Sequence, residues 1–196
     1  MHPARFFALA LAALVSTLST TPVSASRFAG LDGSPGLRSE SALVISEDGS
    51  VIYEKDESTV RPIASITKLM TAMVIIDSGV DLQEKITVTK EDRDLVQLTG
   101  SRLEYGATLT RDEMIMLAVM SSENRAASAL GRTFPGGMDA FVKAMNGKAK
   151  ELGMNDSRFA DPAGLYVENQ STAADLAKMV DAAYDYPLIR KASTTT

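Results

Sequence analysis

Residues 61–72 read Arg-Pro-Ile-Ala-Ser-Ile-Thr-Lys-Leu-Met-Thr-Ala, a largely apolar stretch that contains one serine and one lysine. Arg61 and Pro62 are expected to introduce a helix. Apolar residues then recur at helical spacing: Ile66, Leu69, Met70, Met73 and Val74. Gly79 is typical of a helix end. On this helix Ser65 and Lys68 stand three positions apart, so they share one face.

Ser65 and Lys68 form a candidate nucleophile and base. The chain has no Cys, and its single His is His2, so a serine nucleophile must use another base. The helix N-terminus and the apolar flanking residues both disfavour a charged lysine and favour the neutral amine. The motif alone also fits a helix-capping serine followed by a solvated lysine, so both interpretations stay open at this point.

A second polar pair, Ser122 and Asn124, follows an apolar helix and opens another one. A hydroxyl and an amide two residues apart at a helix junction can face the same cleft. There they can shuttle a proton and hold a substrate carbonyl. The alternative is a capping cluster with no chemical role.

The first 40 residues predict an exported protein. Residues 1–25 have the pattern of a signal peptide: a positive Arg5, an apolar stretch, and small residues before an expected cleavage site. Residues 26–40 are expected to form a leader loop. No later stretch is long and apolar enough to span a bilayer. We therefore expect export to the periplasm or cell envelope.

Composition indicates one globular domain and excludes several function classes. The 196 residues are 45% hydrophobic and 23% charged, which is enough for a real core. The formal charge is -5 without a basic run, which argues against nucleic acid as a partner. The lack of Cys and of His beyond His2 excludes most soft metal sites, and no calcium-loop pattern occurs.

Turn and capping signals predict the remaining elements. Turn residues separate two apolar runs, Ala42 to Ser46 and Val51 to Tyr53, which predicts a hairpin. Ile86 to Thr89 is a candidate strand. A helix is predicted from Thr110, which has Glu113 as its capping partner, and a second one begins near Ser121 or Ser122 and runs through Leu130. A third runs from Met138 to near Gly153, and the last is opened by Ser171 or Thr172. The methionines fall on apolar stripes and are expected to fill the core.

Several segments resemble the low-molecular-mass penicillin-binding proteins. Residues 61–72 resemble the first motif of that family, and residues 101–103 and 120–126 resemble its second-motif region. Residues 159–165 and 171–176 also match. The resemblance extends from about residue 40 to the end and is strongest to the murein DD-endopeptidase branch of the D-alanyl-D-alanine carboxypeptidase family.

This resemblance implies a fold, a reaction and a role for each candidate residue. The fold is α+β, with a helical cluster against an antiparallel sheet. Ser65 would attack a D-alanine carbonyl in a peptidoglycan stem peptide or cross-link and form an acyl-enzyme, while Lys68 takes the proton. Ser122 would protonate the leaving amine, and Asn124 would hold Lys68 and the substrate. β-Lactam antibiotics would acylate Ser65, and no metal or organic cofactor is implied.

The family's third motif, Lys-Thr-Gly on a strand, is not present in the chain. Residues 191–193 (Lys-Ala-Ser) are the nearest late candidate. We therefore expect residues 41–196 to be a partial catalytic domain without the C-terminal sheet strands, and an inactive fragment.

Two other functions stay open at the level of sequence. The chain could be a non-catalytic peptidoglycan-binding remnant. It could also be a β-lactamase, for which residues 151–155 (Glu-Leu-Gly-Met-Asn) give a loose match to a deacylation loop.

Overall fold

The computed structural model describes residues 36–195. The expected signal peptide and residues 26–35 of the expected leader loop lie outside the described residues. Between residues 36 and 195 there are six strands and six α-helices. In chain order they are β1 (Ala42–Ile45), β2 (Val51–Lys55), β3 (Arg61–Pro62), α1 (Thr67–Asp77), β4 (Lys85–Thr87), β5 (Thr108–Thr110), α2 (Arg111–Met120), α3 (Asn124–Arg132), α4 (Gly137–Glu151), β6 (Gln170–Ser171), α5 (Ala173–Tyr184) and α6 (Pro187–Thr194).

Helix α1 lies at the centre of the core and contacts each of the other five helices. Eight of its eleven residues are buried, as expected for a helix that is apolar nearly all round. The predicted role of the methionines as core residues is confirmed. Six of them are at most 1% exposed: Met70, Met73, Met114, Met145, Met154 and Met179.

The strands of residues 36–195 form three separate two-stranded antiparallel ladders. The predicted hairpin is confirmed as β1 with β2, and the strand predicted at Ile86 is confirmed as β4, paired with β5. The ladder of β3 with β6 was not predicted, since two residues are too short to show a pattern. It pairs Arg61 with Ser171 and so joins the segment before Ser65 to the segment after residue 169.

The helix starts follow from capping. The Thr110 N–H donates to the Glu113 carboxylate at 2.8 Å, which confirms the capping partner predicted for α2. The Thr172 hydroxyl accepts the Asp175 N–H at 3.0 Å and caps α5. The start predicted for α3, near Ser121 or Ser122, is slightly too early. Ser122 has φ +56°, outside the right-handed helical region, so α3 begins two residues later.

The last helix of the described part is α6, and the prediction that α5 would be the last is wrong. Pro187 occupies its first turn, and Ile189 and Ala192 are buried. Residues 191–193, the nearest candidate for a third motif, lie on this helix and not on a strand. No helix between residues 36 and 195 has both the length and the apolar character needed to cross a membrane.

Candidate active site

Ser65 lies in a short 3₁₀ turn, Ala64–Ile66, directly before α1. Ala64 has φ +46°, a conformation that an L-residue rarely adopts without support. The support comes from Gly164, whose backbone packs so closely that a Cβ there would lie 1.9 Å from the Ala64 carbonyl oxygen. The glycine of the 161–165 segment therefore permits the turn that exposes the serine.

Lys68 is buried beneath Ser65, with 2% of its surface exposed. Its Nζ donates to Ser65 Oγ at 3.0 Å and to the Ala163 carbonyl oxygen at 2.7 Å. Burial lowers the pKa of Lys68 from 10.5 to about 8, against the opposing effect of the carboxylates of Asp161 and Glu123. Near pH 7, about a tenth of the molecules then carry a neutral amine that can accept the Ser65 proton.

Ser122 approaches Ser65 from the junction between α2 and α3. Its Oγ donates to Ser65 Oγ at 2.8 Å. The left-handed backbone at Ser122 turns the chain so that this hydroxyl points at Ser65 Oγ and not along a helix. Three of the predicted site residues thus meet at one oxygen atom, although they are separated by 57 residues of sequence between Ser65 and Ser122.

Asn124 stands at the first position of α3, and its side-chain amide donates to Thr99 Oγ1 at 2.8 Å. The resemblance implied that Asn124 holds Lys68. Among residues 36–195 no hydrogen bond joins the two, and the Ala163 carbonyl takes that place. Sequence reasoning missed Thr99 because an isolated threonine in a segment without periodicity carries no signal.

The Ala163 carbonyl is placed by Asp161, a carboxylate with 7% exposure. Asp161 accepts the backbone N–H groups of Ala163 at 2.6 Å and of Gly164 at 2.8 Å, and the Asn169 amide at 2.6 Å. The sequence predicted a loop here but no link to Lys68. The Asp-Pro-Ala-Gly order was the available signal, because Asp accepts N–H groups of the residues that follow it in a turn.

Glu123 is the second carboxylate that acts on Lys68, and it is itself fixed. Its Oε1 accepts the Ser101 hydroxyl at 2.7 Å and the Arg125 N–H at 3.1 Å, and it caps α3. Ser101 is the first residue of the 101–103 segment, and its hydroxyl holds the Glu123 carboxylate in place.

Glu151, the residue on which a β-lactamase mechanism would depend, belongs to another part of the surface. It pairs with Lys148 at 3.1 Å, and Lys148 also pairs with Asp77 at 2.9 Å, beside a groove of about 250 Å³ between α1 and α4. Among the described residues it forms no hydrogen bond with Ser65 or Lys68. No three His, Cys, Asp or Glu side chains within residues 36–195 are grouped so that they could hold a metal ion.

The known proteins that resemble this chain include two D-alanyl-D-alanine endopeptidases. The chain is 48% identical over 162 residues to the D-alanyl-D-alanine endopeptidase of Escherichia coli (strain K12), covering 82% of this chain and 52% of the relative. It is 46% identical over 191 residues to the enzyme of the same name from Pseudomonas aeruginosa, covering 95% of this chain and 62% of the relative. The chain therefore spans between about half and three fifths of the length of these two relatives.

Solved structures agree in fold. A mutant of the Streptomyces K15 DD-transpeptidase superposes with a TM-score of 0.75 at 26% identity, covering 81% of this chain and 66% of that one. The D-alanyl-D-alanine carboxypeptidase from Mycobacterium tuberculosis superposes with a TM-score of 0.71 at 26% identity, covering 80% and 60%. The expected fold class is thus confirmed. Residues 31–196 match the D-alanyl-D-alanine carboxypeptidase family, peptidase family S11, and the chain belongs to that family.

Proposed function

We propose that this chain carries the acylation site of a serine-type D-alanyl-D-alanine peptidase that acts on peptidoglycan stem peptides or their cross-links. The observation that supports this most directly is the position of Ser65 Oγ, 3.0 Å from the buried Lys68 Nζ and 2.8 Å from Ser122 Oγ. The Lys68 amine, whose pKa is lowered, and the Ser122 hydroxyl both form a hydrogen bond with the exposed Ser65 hydroxyl, the proposed nucleophile.

The chemistry follows from these contacts. Neutral Lys68 takes the hydroxyl proton of Ser65, and Ser65 Oγ attacks the carbonyl carbon of a D-alanine residue. The positive end of the α1 dipole stabilises the negative charge that develops on the carbonyl oxygen. Ser122 passes a proton to the leaving amine, and water then hydrolyses the ester on Ser65. Asn124, at the edge of the same group, binds the substrate.

The inhibitor class follows from the same step. A β-lactam presents a strained amide carbonyl to the same nucleophile, so β-lactam antibiotics acylate Ser65.

Two of the most similar relatives are named endopeptidases, which favours a peptidoglycan cross-link over a free stem-peptide end as the substrate. The signal-peptide pattern of residues 1–25 supports export to the periplasm or cell envelope.

A fluorescent penicillin tests the proposal. The folded chain should be labelled stoichiometrically, with the adduct mapped to Ser65 by mass spectrometry, and Ser65→Ala should abolish labelling. Ser121→Ala is the matched control, because within residues 36–195 its hydroxyl bonds only to the Leu117 carbonyl and should be dispensable. Labelled chain should also release monomers from cross-linked muropeptides more slowly than unlabelled chain.

The labelling experiment also tests whether the chain is the inactive fragment expected from its sequence. A chain that unfolds cooperatively in urea but takes up no penicillin would contradict the acyl-enzyme proposal. Labelling that persists in Ser65→Ala would contradict the assignment of the nucleophile.

A further inference from the structure

A hydrogen-bonded chain of three side chains leads away from the active site at Asn124. The Asn124 amide donates to Thr99 Oγ1 at 2.8 Å, and Thr99 Oγ1 donates to Asp94 Oδ2 at 2.6 Å. Asp94 also accepts the backbone N–H groups of Val96 at 2.8 Å and Gln97 at 2.9 Å. Residues 94–99 thus form a loop closed on one carboxylate.

The chemistry of this chain fixes which way the Asn124 amide points. Burial raises the pKa of Asp94, but the hydrogen bonds from Thr99, Gln97 and Val96 outweigh it and lower the pKa to about 2, so Asp94 is an ionised acceptor. Two oxygen atoms 2.6 Å apart need a proton between them, and only the Thr99 hydroxyl has one. Thr99 Oγ1 can then only accept from Asn124, which must present its NH₂ group there.

The same loop also touches the other side of the active site. The Gln97 side-chain amide donates to the Leu165 carbonyl at 3.0 Å. Leu165 is part of the segment organised by Asp161, which places the Ala163 carbonyl on Lys68. The 94–99 loop therefore bridges the segment that holds the base and the helix that carries Asn124.

We propose that Thr99 and Asp94 are positioning residues for the peptidase site. They hold the Asn124 amide in one orientation and leave its carbonyl Oδ1 and second N–H free to bind the peptide backbone of the substrate. This role rests on the proposed function, since it is through Asn124 that the two residues act on the substrate. The 2.8 Å contact to Thr99 is the sole hydrogen bond to the Asn124 side chain within residues 36–195, so the loop alone supplies this restraint.

The orientation is testable without any turnover. In ¹⁵N-labelled protein, the Asn124 side-chain NH₂ signals are assigned by their loss in Asn124→Asp, and their heteronuclear NOE reports the mobility of the group. The wild type and Thr99→Ser should give a rigid NH₂, whereas Thr99→Val, which lacks the hydroxyl, should give a mobile one. Equal NOE values in wild type and Thr99→Val would overturn the proposal.

The functional consequence is measured as the rate of labelling by fluorescent penicillin. Thr99→Val should slow acylation about tenfold, which is the effect of one lost hydrogen bond, and Thr99→Ser should stay within about twofold of wild type. Thr87→Val is the control, because its hydroxyl, in the described part of the chain, bonds only to Thr108 on the exposed β4–β5 ladder. Equal rates in Thr99→Val and wild type, or a Thr99→Ser variant as slow as Thr99→Val, would contradict the positioning role.

The two measurements keep this inference apart from the proposed function. If the wild type is not labelled at all, the acylation proposal fails, and the NOE of Asn124 still decides whether Thr99 orients it. If the wild type is labelled and the NOE does not respond to Thr99→Val, the acylation proposal stands and the positioning role fails.

Discussion

Replacing Lys68 by methionine measures how much the burial of its ammonium group costs the folded chain. Methionine keeps the length and apolar stem of lysine but does not ionise. Lys68 has a folded-state pKa of about 8 against 10.5 for an unperturbed lysine, and it is only 2% exposed. Because the folded state binds fewer protons than the unfolded state between these pH values, the free energy of unfolding of the wild type rises with pH across this window.

The size of the effect follows from the pKa difference. At about 1.4 kcal/mol per unit, holding Lys68 protonated costs the folded state about 3 kcal/mol at pH 7 and less than about 1 kcal/mol at pH 10. Lys68→Met removes this cost and also leaves the Ala163 carbonyl without its donor, an opposing loss of about 1–3 kcal/mol that does not change with pH. The stability of the variant relative to wild type should therefore fall by about 2.5 kcal/mol from pH 7 to pH 10.

Urea unfolding of wild type and variant at several pH values between 7 and 10 gives this difference directly. Lys143→Met, on the exposed face of α4, supplies the baseline for losing one surface lysine. A Lys68→Met difference that stays constant within about 0.5 kcal/mol over the same range would refute the reasoning, since Lys68 would then titrate alike in the folded and unfolded chains.

Two further predictions concern the same site. The rate of penicillin labelling should rise with pH around the Lys68 pKa of about 8. Glu123→Gln should move the midpoint of this rise to lower pH, because it removes a carboxylate that favours the charged amine. A midpoint that does not move would show that Glu123 does not raise the pKa of Lys68. Gly164→Ala should destabilise the chain by at least about 2 kcal/mol in urea unfolding, since its Cβ would meet the Ala64 carbonyl and its φ is +78°. Gly147→Ala, in open space on α4, should instead stabilise by about 0.5–1 kcal/mol, and similar losses in both variants would contradict the close-approach argument.

The sequence predicts the elements whose signals are local. The stripe of α1, the β1–β2 hairpin and the Thr110 cap all depend on residues within a few positions of one another, and all three are confirmed. The two-residue β3–β6 ladder depends on pairing across more than 100 residues, Arg61 with Ser171, and no local pattern reports it. The start of α3 was misplaced because two serines looked like caps, whereas Ser122 takes a left-handed conformation.

For the site, residue type and spacing made Ser65, Lys68, Ser122 and Asn124 candidates, and the family resemblance gave each a role. Neither predicted their hydrogen-bond partners. The direction of the Lys68 pKa shift follows from its apolar neighbours and is the direction that the structure gives. The Ala163 carbonyl could not be foreseen, since a backbone acceptor has no sequence signature. Thr99 was missed for a related reason: its importance comes from where residues 94–99 fold back, not from its neighbours in sequence.

The hydrogen bond between Lys68 and the Ala163 carbonyl spans 95 residues, and this separation bears on when the surroundings of Lys68 can form. Contacts so distant in sequence form late, because the loop between them must close first. During synthesis, at roughly 5–20 residues per second, about 5–20 s pass between the addition of Lys68 and that of its acceptor. The buried contact of Lys68 is therefore a product of tertiary folding, completed only when the segment that carries Ala163 packs against the start of α1.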